Sequence, residues 1–342
     1  MISLAHPGAR MPLLLSTLLL LFLASLVLGV AFGSTWIPPE QVALTFAGLG
    51  ERTQTIIIMN LRLPRVVLAA LAGGAVAAAG FLLQRITRNE LASPAVLGVI
   101  DGAALGVVLM LTLFSNESNQ LSIPITYQPL AAALGAIAAI SLVFGLAGRQ
   151  SVSAIRLLLF GIAIAAIAKA ITVVLMIVGP IYRTTQAARW IAGAVNEASW
   201  NEIHIVTAVL IPVLILVLIA IRSLPPADLD ESSARSVGLD LPVYRLGIFA
   251  LAALLTACAV AFVGGIGFIG LIAPHLARLM VGRNVYASLL GSILIGAIML
   301  IGADLVVRVL FTPLEVPAGT VTAIVGAPYF LYLLMRSQAH NG

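Results

Sequence analysis

Charge is the scarcest property of this 342-residue chain. Only 9% of its residues are Asp, Glu, Lys or Arg, where a soluble domain carries about 25%. With 61% hydrophobic residues and a mean hydropathy of +1.14, that shortage excludes an ordinary soluble globule. Lysine is almost missing as well, and Lys169 is the single one. The formal charge of +5 is therefore nearly all arginine, scattered singly between apolar runs. Single scattered arginines mark membrane-flanking loops rather than a phosphate-binding patch, so nucleic acid is not an expected partner. Cys258 is the only cysteine, which excludes an intrachain disulfide and a cysteine-built metal site. His275 has no second histidine at ligand spacing and is read as structural, so no metal site is expected. No GxxxxGK[ST] loop occurs, so the chain is not expected to be an enzyme that hydrolyses ATP itself. The apolar runs are continuous, not alternating, which excludes a β-barrel.

What remains is length and apolarity. A spanning helix needs about 20 apolar residues, and the runs predict an all-α polytopic membrane protein with about ten transmembrane helices. The first run, Met11 to Phe32, is too long for a signal-peptide core and reads as a retained span. Placing the N-terminus inside and alternating sides leaves Arg52, Arg62, Arg65, Arg183, Arg189 and Arg308 outside, with the other eleven arginines inside. This bias puts both termini in the cytoplasm. Residues 33–60 read as an extramembrane loop, and Gln84 to Pro94 as a polar elbow at the cytoplasmic surface.

The stretch Gly264 to Gly282, GGIGFIGLIAPHLARLMVG, stands out. Its glycines allow another backbone to approach closely, and Pro274 forces a bend or a fresh helix start. Gly267, Gly270 and Pro274 are therefore expected to act in a hinge and packing element. His275 and Arg278 share its cytoplasmic end. Between spans six and seven, residues 222–245 form the most polar stretch, in which Ala227 to Val237 reads as a short helix. Asp228, Asp230 and Glu231 crowd its first turns, Glu231 and Arg235 are an i,i+4 pair, and Gly238 is a C-terminal stop.

Ionisable groups inside spans are functional candidates. Lys169 lies 13 residues after Arg156, roughly 19 Å along a helix, and is expected to face a pathway and attract an anionic complex. Asp101 lies about seven residues, roughly 10 Å, from Pro94. The two charges are expected at different depths, with Asp101 in a capping or interhelical role.

Several segments carry a resemblance: LRLPR at Leu61, LLQRITRNELASPAVLGVIDGAAL from Leu82, RLLLFGIA from Arg156, SARSVGLDLPVYR from Ser233, the Gly264 stretch, GADLVVR from Gly302, and LEVPAGTVTAIVGAPYFLYLL from Leu314. In this order and spacing the chain resembles the FecCD-type (type II) ABC importer permeases for iron–siderophore complexes and cobalamin. The resemblance implies one permease domain over residues 1–342 with a cytoplasmic coupling segment at 222–245. It implies a second permease chain, identical or paralogous, two cytoplasmic ATPase subunits holding ATP and Mg, and an extracytoplasmic binding protein in a bacterial inner membrane. It places binding-protein docking at Arg62, Arg65 and Arg308. It places ATPase coupling at Asp228, Asp230, Glu231, Arg235, Gly238 and Leu239. A cytoplasmic gate falls at Ser151, Val152, Ser153, Ala154 and Ile155, and Lys169 falls on the pathway. No cofactor is expected on this chain. The family usually has Pro at Glu90, a neutral residue at Asp101 and Pro at Gly265. The expected function is import of a ferric siderophore or similar chelate. Cobalamin or haem is the alternative cargo, and an ion-coupled secondary transporter is the alternative class.

Overall fold

The computed structural model describes residues 7–33, 35–116, 120–148, 154–179, 181–196, 198–227, 231–236, 238–282, 284–312, 314 and 316–338. These residues are helical with no strand, apart from one isolated bridge between Ser115 and Leu121. The ten main helices are α1 Pro7–Ala31, α2 Leu63–Thr87, α3 Val99–Leu113, α4 Gln128–Ala147, α5 Ala154–Val178, α6 Trp200–Ala220, α7 Leu241–Val263, α8 Ile269–Val281, α9 Val285–Leu310 and α10 Ala318–Gln338. Seven of them have the length and apolarity to cross a membrane, while α3, α8 and the apolar part of α10 are shorter. Helix starts follow local chemistry. Proline stands in the first turn of α2, α4 and α7. Ser199 and Glu202 form a capping box on α6, and the Asn284 side chain accepts from the Ala287 amide to cap α9.

The chain is built around α2 more than around the Gly264 stretch. The most apolar part of the Arg52–Thr87 helix is 83% buried within the protein, against 17% for the first span. α2 packs on α7, α8 and α9. Its small residues let backbones touch: a methyl on Gly80 would overlap the Gly270 carbonyl of α8, and one on Gly73 would overlap the Gly296 carbonyl of α9. The Gly264 stretch supplies one partner of this centre. Gly267 lies in the break before α8, Gly270 in its first turn, and Pro274 inside the helix.

Three connections differ from the sequence expectation. Residues 33–60 contain helices Pro39–Phe46 and Arg52–Ile56, and the latter runs through a π-helical turn, Ile57–Arg62, straight into α2. Pro64 cannot donate to the Asn60 carbonyl, and the wider turn absorbs that missing bond.

The elbow after α2 does not stay at the surface. Arg88 takes a left-handed conformation (φ 52°), and the chain folds back so that Pro94 and Leu97 are buried in a single 3-10 turn. Pro94 packs on Gly270, which faces Gly80. Gly80 is seven residues, roughly 10 Å, before the end of α2. The elbow therefore re-enters, which is why α3 is only 15 residues long.

On the opposite side, helix Ile181–Ile191 and the chain up to Ser199 form an outer segment. Three chain breaks cross beside it. The Gly319 amide donates to the Gly193 carbonyl (2.9 Å), and the Gly265 amide donates to the Trp190 carbonyl (3.4 Å). Phe268, just before α8, holds a left-handed φ of 64°, and its ring lies where Gly326 of α10 has no side chain. For a bulky residue this conformation is an outlier held by its surroundings.

Candidate functional site

The outer end of α2 carries Arg62 and Arg65, and the outer end of α9 carries Asp304 and Arg308. Arg65 donates Nε to Asp304 Oδ1 (2.7 Å), and its Nη2 lies 2.6 Å from the same oxygen. Arg308 Nε reaches Asp304 Oδ2 at 3.0 Å, one helical turn along. One buried carboxylate thus holds two guanidinium groups, from helices distant in sequence. Arg62 and Arg308 also share a task on α1. Arg62 Nη1 donates to the carbonyls of Val30 (3.0 Å) and Ala31 (2.8 Å), and its Nη2 to Thr35. Arg308 donates to the carbonyls of Gly29 (2.8 Å) and Phe32 (3.3 Å). The last carbonyls of α1, left without intrahelical donors and at the negative end of the dipole, are capped by two cations.

This corrects the expectation of an open docking face at Arg62. Its side chain is 6% exposed and turned inward, because α1 ends beside it and offers a cluster of acceptors. Gly33 makes room, since a side chain there would meet the Arg62 guanidinium. Arg65 and Arg308 keep 18% and 10% of their side chains exposed.

The second site lies inside the membrane region. Asp101 stands in the first turn of α3, within electrostatic reach of Lys169 on α5. The expectation of different depths is wrong, and the re-entrant elbow is the reason. Gly98 packs against the Gly161 carbonyl and the Ala165 amide of α5. Asp101 is three residues on from Gly98 and Lys169 four on from Ala165, so both rise roughly 5 Å from one level. Asp101 at the helix N-terminus also faces the positive end of the α3 dipole. Lys169 is exposed on a face otherwise apolar, with Ile162 and Val173 exposed beside it.

At the cytoplasmic end, Glu90 of the elbow reaches α8. Its Oε1 lies 2.9 Å from Arg278 Nη2, and its Oε2 lies 3.3 Å from His275 Nδ1. His275 is buried, with its ring edge-on to Tyr329 of α10 at 6.1 Å. Glu90, one of the three positions where the resemblance leads to another residue, thus joins Pro94 in tying the elbow to α8. The described residues contain no group of three His, Cys, Asp or Glu able to hold a metal ion.

The model of the FecCD transport family matches residues 18–336. The chain belongs to that family. Among its relatives, the probable siderophore transport system permease protein YfhA of Bacillus subtilis is 42% identical over 315 residues, 92% of each chain. The Fe(3+)-citrate import system permease protein YfmE of the same organism is 36% identical, over 95% of this chain and 96% of its own. A solved chain described as a metal-chelate type ABC transporter in an inward-facing conformation superposes with a TM-score of 0.83 at 28% identity, over 95% of this chain and 99% of that one. The protein is a multi-pass FecCD permease.

Other family positions fall as follows. Ser151, Val152 and Ser153 of the gate lie outside the described residues; Ala154 opens α5, and Ile155 is 70% exposed. Asp228 and Asp230 of the coupling segment also lie outside them. Of the expected helix Ala227 to Val237, Ala227 closes helix Leu224–Ala227 and Glu231–Ser236 is helical; residues 228–230 and 237 lie outside the described ones. Of Glu231 and Arg235 only the backbone is described. Gly238 has φ 83°, and the Leu239 amide donates to the Ala234 carbonyl (3.0 Å), a Schellman closure that fits the predicted stop. The outer segment was missed by the sequence reading, although the mixed polar and apolar run IYRTTQAARWI carries the signal of an amphipathic helix.

Proposed function

We propose that this FecCD permease is the membrane-spanning subunit of an ATP-driven importer that carries a ferric siderophore or similar iron chelate across the bacterial inner membrane. The observation that carries this reading is the relative at 42% identity named for siderophore transport, matched over 92% of both chains. The chain pairs with a second permease, with two ATPase subunits that hold ATP and Mg, and with an extracytoplasmic binding protein. Transport proceeds by alternating access.

Within that reading the residues divide by place. The exposed edges of Arg65 and Arg308 meet acidic groups of the binding protein, and Arg62 sets their position through the end of α1. Exposed charge pairs give orientation and on-rate more than affinity, so Arg65→Glu lowers the association rate of the binding protein and its salt dependence. Segment 222–245 engages the ATPase, and residues 151–155 close the inner side. A lysine bare to lipid is costly, so Lys169 faces an aqueous pathway, where it attracts an anionic chelate. Gly267, Gly270 and Pro274 let α8 pack and pivot.

The test is uptake of radioiron chelates by proteoliposomes holding the permease and its ATPase. Uptake that needs ATP supports the reading. Uptake that ignores ATP but follows an ion gradient replaces it with a secondary transporter using Asp101 and Lys169. A haem cargo is the second reading, favoured by the hemin transport system permease protein HmuU of Yersinia pestis, 36% identical over 82% of this chain and 84% of its own. Competition between haem and ferric chelates separates the two.

A further inference from the structure

Asp101 and Lys169 each stand alone on their helix. Asp101 is the one charged residue of α3. After Arg156 in its first turn, α5 carries Lys169 and no other charge. α4, packed against both helices, carries none.

The two side chains start from the joint between α3 and α5. Gly98, the residue before α3, rests on the Gly161 carbonyl and the Ala165 amide. Asp101 is three residues on from Gly98, so it shares much of that face of α3. On α5, Gly161 is buried, and Ala168 and Thr172 are each only 5% exposed. Lys169 follows Ala168 and stands four residues after Ala165, at the rim of this buried stripe. Asp101 is partly buried and Lys169 exposed, and the carboxylate lies within electrostatic reach of the ammonium. An anion approaching along α5 therefore meets the lysine first, with the carboxylate behind it.

A fixed cation in a passage draws anions in, and it also holds them. Conduction requires binding strong enough for entry and weak enough for exit. Lys169 by itself supplies only the first. A carboxylate at the same level supplies the second, because it gives the ammonium another partner while cargo moves on.

We infer that Asp101 is a positioning residue for Lys169: it holds the ammonium between cargoes and takes it back as an anionic cargo leaves. The inference rests on the reading in which Lys169 faces an import pathway. Asp101 sets how long an anion stays, not which metal or chelator is carried. A neutral residue in its place leaves Lys169 a tighter and slower anion site.

The test uses proteoliposomes holding the full-length permease with its ATPase and binding-protein partners. Ferric citrate is the anionic probe and an uncharged ferric trihydroxamate the neutral one. In Asp101→Asn the ratio of kcat for ferric citrate to kcat for the neutral complex falls about fivefold, the upper end for a solvent-reached pair, and KM for ferric citrate does not rise. Asp101→Glu restores the ratio. In a Lys169→Gln background Asp101→Asn changes it no further, which a double-mutant cycle measures. A ratio that stays at its wild-type value, or that falls as much with Lys169→Gln present, overturns the inference and leaves Asp101 as a cap of α3. Asp101→Ser, which keeps an oxygen at the start of α3, replaces Asp101→Asn if that variant does not fold. A second readout needs no transport. Lys169 is the only lysine, so mass spectrometry of the α5 peptide follows its labelling by a water-soluble amine reagent. Labelling about fivefold faster in Asp101→Asn is expected; equal rates, or no labelling in either protein, overturn the pair. If wild-type proteoliposomes import neither complex with ATP, the importer reading fails, and the labelling alone decides the pair.

Discussion

Asp304→Asn exchanges one oxygen for an NH2 group in a side chain that is 1% exposed. Its two oxygens take three guanidinium contacts, at 2.6 and 2.7 Å from Arg65 and 3.0 Å from Arg308. Whichever way the amide faces, one guanidinium meets a donor and both lose their counter-charge. Removing one partner of a buried ion pair costs about 3–5 kcal/mol. Arg65 can relieve part of this by turning its exposed edge to water, but Arg308 is held at the end of α1, so the lower end, about 3 kcal/mol, is expected. At about 2–4 °C per kcal/mol the melting temperature falls by roughly 6–12 °C. Cys258 makes the assay simple: it is the only cysteine and is buried, so a thiol-reactive dye reports unfolding of the detergent-solubilised protein with no added label. Adding Arg65→Gln to Asp304→Asn removes one orphaned charge and recovers stability, a coupling that the double-mutant cycle measures. A fall of less than about 2 °C, or strictly additive losses, would refute the idea that one carboxylate holds both cations.

Three further perturbations test other parts. Gly80→Val forces α2 away from the Gly270 carbonyl, where no flexible side chain can yield; a loss of about 3 kcal/mol or more is expected, and the same dye assay would show it. Arg62→Ala takes the charged donor from the Val30 and Ala31 carbonyls, while Arg308 still serves Gly29 and Phe32, at about 1.5–3 kcal/mol for a charged hydrogen bond; hydrogen exchange at the end of α1 should rise while that of α8 stays constant. Lys169→Ala should raise KM for anionic chelates by several-fold and leave a neutral chelate unaffected, as counter-transport assays with the two cargoes would show; equal effects on both would remove Lys169 from the pathway.

The helices themselves were legible, because a bilayer demands long apolar runs and little else satisfies them. The Schellman stop at Gly238 and the proline-led starts were legible for the same local reason. What one sequence did not show is how connections bend in three dimensions. The elbow RNELASP is polar and reads as surface, yet its last residues are small or apolar, and Pro94 fits the space that Gly270 and Gly80 leave open. That one re-entry moved Asp101 to the level of Lys169, an error that counting residues from Pro94 could not reveal. The position of Arg62 at the entrance of α2 was legible, but its direction depends on where α1 ends, some thirty residues earlier. The pairing of Arg65 with Asp304 joins residues 239 apart in sequence, and no local pattern announces it.

The glycine contacts of α2 have a consequence for motion. Where Gly80 meets Gly270 and Gly73 meets Gly296, main chain rests on main chain with no side chain between. Side chains can swap rotamers and let helices slide; two backbones in contact cannot, because interiors of this density have no slack. α2, α9 and the first turn of α8 therefore form a stator. Whatever rearrangement opens a path through this permease must be made by helices that turn against that block, and α5, with its lone lysine and largely uncovered surface, has no glycine joint with it; its own joint lies at Gly161, against the Val96 carbonyl of the elbow.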